Sequence, residues 1–172
     1  MSYKSYAMEL RRDQCQLNFY DLQKKIIPEI KLSSDFPICT WKNGDEHRWI
    51  EIVKEAFGDY MSDWSAEKFV ERYASSPLFK EDGFFFIRHK ERYVATAFAW
   101  QEKTNSSEGR LHWLAVLPEY HRRGLGRTLA LHVLYYHKDH GKQSVCLKTE
   151  IYRHSAIKLY KDIGFVCVAK GT

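Results

Sequence analysis

Apolar positions along this 172-residue chain fall into two periods. Around Phe84–Arg88, Tyr93–Trp100 and Leu111–Val116 they form short aromatic and β-branched blocks, the pattern of strands. The tight turn at Lys90-Glu91 makes the first two a hairpin. Between Asp45 and Gly58 the spacing changes: Trp49, Ile50, Val53 and Phe57 recur at helical intervals, with Asp45 placed to cap and Gly58 to stop the helix. Ser65 opens a second helix through Phe69, Val70 and Tyr73, and Ile38–Trp41 reads as a short strand before both. After Pro118 a glycine-bearing loop leads into a helix from about Leu125 to His137, with Leu125, Leu129 and Val133 in one apolar line. Ser144–Thr149 is a strand. Ala156, Leu159, Tyr160 and Ile163 then mark the buried face of a last helix, Gly164 sits at its C′ position, and Phe165–Val168 is a final strand. The order β-α-α-β-β-β-α-β-α-β predicts a mixed α/β sheet.

Residues 1–35 carry weaker signals. Tyr3–Leu10 has strand character, and Asp21–Ile30 looks helical until Pro28 breaks it. No repeat or Gly/Ser linker divides the chain, so one domain is expected, with residues 1–35 as an N-terminal extension and 36–172 as its body.

Composition narrows the function classes. Apolar residues make up 44% and aromatics 15%, enough to bury a core and too much for disorder. No apolar run approaches the roughly eighteen residues of a membrane span, so a soluble cytoplasmic protein without a membrane partner is expected. Cys15, Cys39, Cys146 and Cys167 lie far apart, without zinc-ligand spacing, and are expected as buried reduced thiols. His137 and His140, followed by Gly141, read as a solvated helix end rather than a metal site, and no metal is expected. The net charge of +5 suits an anionic ligand, but the basic residues are scattered, which argues against nucleic acid.

The chemistry concentrates in Leu114-Ala-Val-Leu-Pro-Glu-Tyr-His-Arg-Arg-Gly124-Leu-Gly126-Arg-Thr128. A strand runs into a loop with Gly124 and Gly126, and a helix begins at once. The first turn of that helix leaves backbone N–H groups without internal partners, at the positive end of the macrodipole. Glycines permit close approach, so the turn can cradle a phosphate or pyrophosphate, and Arg122, Arg123 and Arg127 add formal charge around it. Leu129 stands where a dinucleotide fingerprint has its third glycine, and no Gly-Lys-Ser/Thr follows to make a P-loop.

The segment His121-Arg-Arg-Gly-Leu-Gly126 instead resembles motif A of the GNAT N-acetyltransferases, Gln/Arg-x-x-Gly-x-Gly/Ala, with His121 departing from the usual first residue. Downstream, Ala156-Ile-Lys-Leu-Tyr160-Lys-Asp-Ile-Gly164-Phe165 resembles the family's motif B, with Arg153 in the place of a frequent Asn. The resemblance covers roughly Phe36–Phe165. It implies a mixed sheet of about six to seven strands flanked by about four helices and splayed between its two central strands. It further implies acetyl-CoA as co-substrate, bound by Leu114, Ala115, Val116, Arg122, Arg123, Gly124, Leu125, Gly126, Arg127, Thr128, Arg153 and Tyr160.

Direct transfer to a primary amine of a small molecule or peptide is the implied reaction, with an acyl-CoA-binding module lacking transfer as the alternative. Tyr160 matches the tyrosine that family members direct at the coenzyme sulfur, and keeps its proton at neutral pH. His112 shares strand parity with Leu114 and Val116 and is the candidate base, with Glu150 in reserve. Polyamines, aminoglycosides, amino acids and protein amines all satisfy the acceptor requirement; the loop Asp59–Trp64 offers carboxylates and aromatics for an ammonium group. Family members usually continue for two strands beyond motif B, so an edge near Phe165–Val168 is expected to be covered by the N-terminal segment or by a second subunit of a homodimer.

Overall fold

The computed structural model describes residues 15–168. The elements are β1 (Cys15–Asp21), β2 (Ile38–Thr40), α1 (Glu46–Phe57), α2 (Ala66–Phe69), β3 (Phe84–His89), β4 (Arg92–Trp100), β5 (Glu108–Val116), α3 (Leu125–Asp139), β6 (Ser144–Glu150), α4 (His154–Ile163) and β7 (Val166–Val168). The strands form one open mixed sheet in the order β2-β3-β4-β5-β6-β1-β7. All neighbours run antiparallel except β5 and β6, which are parallel because α3 crosses over between them. The fold is the one the motifs imply, among the described residues a seven-stranded mixed sheet with four helices.

Alternation along β3 assigns the helices to faces. Phe84 and Phe86 project together toward Trp41, and Phe84 also meets Phe69 of α2. Phe85 points the other way, onto His132 and Tyr136 of α3. Ser65 caps α2 by accepting from the Lys68 N–H at 3.1 Å, and the helix continues as a π-helical stretch, Val70–Ala74, that carries Tyr73 inward. Asp45 precedes α1 but does not cap it: its carboxylate turns back to accept from the Lys42 N–H and from Arg48.

The N-terminal region departs most from expectation. The helical reading of Asp21–Ile30 is wrong. Asp21 Oδ1 accepts from the Gln23 and Lys24 N–H groups, a local turn that imitates a helix start, and the chain then runs extended. Pro28 has no N–H to continue a helix. Leu22 and Ile27 are buried, and the Tyr135 hydroxyl of α3 donates to the Ile27 and Pro28 carbonyls. Upstream, β1 pairs with β6 on one side and β7 on the other, so a segment from within residues 1–35 hydrogen-bonds β7. The strand reading of Tyr3–Leu10 lies outside the described residues.

Two smaller corrections concern burial. His137 is no solvated helix end: it is 2% exposed, whereas His140 lies at the surface, stacked on Tyr136. Cys167 is exposed and Cys15, Cys39 and Cys146 only half-buried, so no disulfide joins them but the thiols are not all interior.

Candidate functional site

The site begins where two parallel strands stop pairing. β5 and β6 pair only at their feet, Glu108 with Ser144, Gly109 with Val145 and Arg110 with Cys146. Beyond Arg110 they diverge, and the gap forms a cleft of about 270 Å³ whose lining includes His112, Trp113, Leu114, Glu150, Arg153 and Tyr160. His137 pins the foot. Its Nε2–H donates to the Arg110 carbonyl at 3.0 Å, and a Cβ on Gly109 would lie 2.2 Å from its Nδ1, so only glycine fits there.

A bulge re-aims β5 inside this cleft. Thr96 of β4 pairs with Ala115, yet Phe98 pairs with His112, so β5 spends one residue more than β4 over the same span. Trp113 takes it up at φ 51°, a left-handed conformation uncommon for a bulky side chain. Thr96 and Phe98 share a face, hence His112 and Ala115 do too, and Leu114 and Val116 project to the other. The expected shared parity of His112 with Leu114 and Val116 is therefore overturned. His112 lies with α1 and α2, beside Tyr73 and Phe98.

On the far side of the bulge the strand offers backbone. Leu117 N–H donates to Val94 on β4, so the N–H and C=O of Val116 point away from β4 into the gap. His121 donates from Nε2 to that Val116 carbonyl at 3.0 Å, tying the loop to the strand. Gly124 then adopts φ 76°, ψ 8°, the left-handed turn that starts α3 without a side-chain cap. A Cβ on Gly126 would meet only Leu159 and Val116 side chains, at 3.5 and 3.7 Å, so packing leaves this turn open to an approaching group. Arg122 and Arg123 are exposed around it, with Arg123 over the Tyr120 ring, while Arg127 is half-buried and Thr128 and Leu125 point inward.

The opposite wall comes from β6 and α4. Tyr160 is 6% exposed and lines the cleft; burial pushes its phenol well above the ordinary value, Arg153 opposing the shift and Glu150 adding to it, both to a smaller extent. It is therefore a proton holder at neutral pH. Arg153 Nε lies 2.7 Å from Glu150 Oε2, and its guanidinium sits 4.4 Å from the Phe57 ring centre, bridging α4 to α1 across the cleft. Burial, followed by the charges of Arg110 and Arg72, holds His112 well below the ordinary histidine value.

The structure thus brings His112, Leu114, Glu150, Arg153 and Tyr160 into the lining of one cleft, with Val116 beside the Gly124–Gly126 turn next to it. Sequence reasoning missed Tyr73, Arg110 and Trp113. Tyr73 sits at core spacing and Trp113 in a strand, so neither carries a signal without the bulge.

A model of the acetyltransferase (GNAT) family matches residues 47–165. The chain belongs to the GNAT family. Among curated relatives, a mycothiol acetyltransferase of Thermomonospora curvata is 29% identical over 147 residues, covering 84% of this chain and 48% of its own length. The chain thus spans about half the length of the curated relatives it matches. A GCN5-related N-acetyltransferase from Sphaerobacter thermophilus superposes with a TM-score of 0.72 at 19% identity, over 95% of this chain and 53% of that one. The structure of AAC(6')-Iy in complex with the bisubstrate analog CoA-S-monomethyl-acetylneamine superposes at 0.63 with 17% identity, over 81% and 96%. Both share the GNAT fold. Among the described residues no cluster of His, Cys, Asp or Glu is suited to a metal ion, and no helix is long and apolar enough to cross a membrane.

Proposed function

We propose that this chain transfers the acetyl group of acetyl-CoA to a primary amine. The observation that carries the reading is the unpaired gap between β5 and β6, running from the Arg110 foot to the Gly124–Gly126 turn. GNAT membership supports acetyl-CoA as its occupant. Its pyrophosphate fits the open first turn of α3, where Gly124, Leu125, Gly126 and Arg127 present backbone N–H groups, Thr128 N–H closes the turn onto the Gly124 carbonyl at 3.0 Å, and Arg122, Arg123 and Arg127 supply charge. Leu114 and Val116 present strand backbone to the pantetheine arm, Ala115 between them facing β4, and the Val116 N–H facing the gap is placed to polarise the thioester carbonyl.

The amine nitrogen attacks that carbonyl, the C–S bond breaks, and the departing thiolate takes a proton. Tyr160 is the donor, because burial keeps its hydroxyl protonated and it lines the same cleft. The proton lost by the amine leaves from the acceptor end, where Glu150 and His112 stand. Arg153, locked to Glu150, borders the coenzyme path rather than waiting free for it. Release of free coenzyme A thiol from acetyl-CoA, measured across a panel of amines and peptides, tests transfer against a binding module without turnover. A cytoplasmic location and an acceptor amine as the partner accompany this reading.

Gly126→Asp tests the site. The φ here is helical and no neighbour lies closer than 3.5 Å, so the substitution leaves the fold intact while placing a carboxylate in the cradle. By calorimetry, acetyl-CoA binding is expected to fall at least about 100-fold, which corresponds to some 2.7 kcal/mol. Wild-type affinity in a folded Gly126→Asp protein would move the coenzyme elsewhere.

A further inference from the structure

His112 and Trp113 are adjacent in β5, and in a regular strand they would face opposite ways. The positive φ at Trp113 turns both toward Tyr73. The Tyr73 hydroxyl lies 2.8 Å from His112 Nε2 and 2.9 Å from Trp113 Nε1. An indole N–H only donates, so the bond from Trp113 occupies a lone pair of the Tyr73 oxygen. Arg72 also reaches this hydroxyl and likewise only donates, so the hydroxyl proton goes to the one partner able to accept it, His112 Nε2. Nε2 is thereby the unprotonated nitrogen, and the ring carries its proton on Nδ1. His112 lines the cleft, whereas Tyr73 stands behind it among Trp64, Phe69 and Phe98.

The charges nearby favour the same state. Burial does most to disfavour an imidazolium, and Arg110, from β5 itself, and Arg72, from the π-helical stretch beside Tyr73, add to it. Across the cleft, Glu150 and Arg153 offset each other's charge as an ion pair at 2.7 Å, although the buried Arg153 Nε makes no hydrogen bond, which leaves Arg110 and Lys148 as the remaining charged side chains of the lining. Arg110 meets Glu102 through one terminal nitrogen, while its buried Nε has no hydrogen-bond partner. A polycationic acceptor finds an unfavourable field there, and an oxygen-bearing one finds donors.

We propose that His112 is a neutral hydrogen-bond donor rather than a base: Tyr73 and Trp113 fix its tautomer, and with Arg110 its Nδ1–H selects acceptors carrying a carbonyl or carboxylate oxygen beside the amine. The inference rests on the acetyl-transfer reading for its substrate class but not for its tautomer. Proton removal from the amine then falls to Glu150 or to water.

Two measurements test it on the full chain. The first is nitrogen-15 NMR of labelled protein, with the His112 signals identified by their loss in His112→Asn. The Nδ1–H tautomer is expected throughout pH 5.5 to 7.5, and Tyr73→Phe is expected to release it into a mixture. The second is steady-state kinetics with an α-amino acid amide and with spermidine. His112→Ala is expected to lower kcat/KM for the amide about 10- to 100-fold. Asparagine places an N–H where Nδ1 stands and glutamine places one where Nε2 stands, so His112→Asn should rescue most of that loss and His112→Gln little. An Nε2–H tautomer in the wild type, equal losses in His112→Asn and His112→Ala, or a preference for spermidine would each overturn the proposal. Absence of thiol release with every amine would instead overturn the acetyl-transfer reading, and the tautomer measurement would still decide the state of His112.

Discussion

The two faces of the sheet are built from different materials. Against α1 and α2, rings interlock: Trp41, Trp49, Phe69, Phe84 and Phe98 lie within 4.5–5.8 Å of one or more neighbours in the set. Against α3 the face is largely aliphatic, with Leu125, Leu129 and Val133 buried, and it ends at a turn kept open by glycine. Large rings with few rotatable bonds make a stiff wall, which suits a surface that must hold His112 and Tyr73 in one arrangement. A cofactor cradle needs the opposite, since its contacts come from main chain and any side chain stands in the way. The molecule thus places stability on one face and backbone access on the other.

The largest expected effect strikes the aromatic wall. Trp49 is fully buried and touches Trp64, Phe69 and Trp113, so Trp49→Ala should lower unfolding free energy by about 3–5 kcal/mol. Denaturant melts of wild type and variant measure it. A loss below about 1 kcal/mol would show that this face is not the stabilising one.

Next comes acid. Burial lowers His137 to about 4, against roughly 6.5 in an unfolded chain. The unfolded state therefore binds this proton first as pH falls, so the contribution is complete above about 6.5 and is lost progressively toward 4. The full loss is about 3 kcal/mol, and His112 acts in the same direction. His137→Gln keeps an N–H for the Arg110 carbonyl and removes the titration. Its melting temperature should be flatter than wild type between pH 6.5 and 4, and parallel curves would remove His137 from the acid response.

The smallest effect tests chemistry alone. Tyr160→Phe keeps the ring on the buried face of α4 and deletes the hydroxyl, so thiol release should slow by about one to two decades while acetyl-CoA affinity holds. Unchanged turnover would reduce Tyr160 to packing.

The same contrast explains what could be read from the chain. The backbone-built side announces itself, because glycines at fixed intervals after a strand and the Ala156–Phe165 helix are demanded by local geometry. The strands β3 to β6 show as apolar blocks for the same local reason. β1 escaped because its inward positions are Asn18 and Tyr20, both buried, alternating with the more open Leu17 and Phe19, so its polarity reads backwards. The false helix after it arose from the Asp21 turn, whose hydrogen bonds are those of a helix N-terminus that goes no further. The Tyr73–His112–Trp113 cluster escaped altogether: partners 39 and 40 residues apart meet only through a bulge, and no residue type marks it.

That bulge has a consequence for how the chain tolerates change. β5 reads toward α1 and α2 at His112 and, one surplus residue later, toward α3 at Leu114, so a single strand serves both reactants by switching phase midway. Substitutions at Trp113 alter a shape, but deletion of one residue between His112 and Ala115 removes the bulge itself: Ala115 stays opposite Thr96, while the turn that brings His112 and Trp113 together onto Tyr73 is lost. The spacing of this stretch is therefore a stronger constraint than its spelling, and length variation among relatives should be admitted in the Glu102–Ser107 connection before it is admitted here.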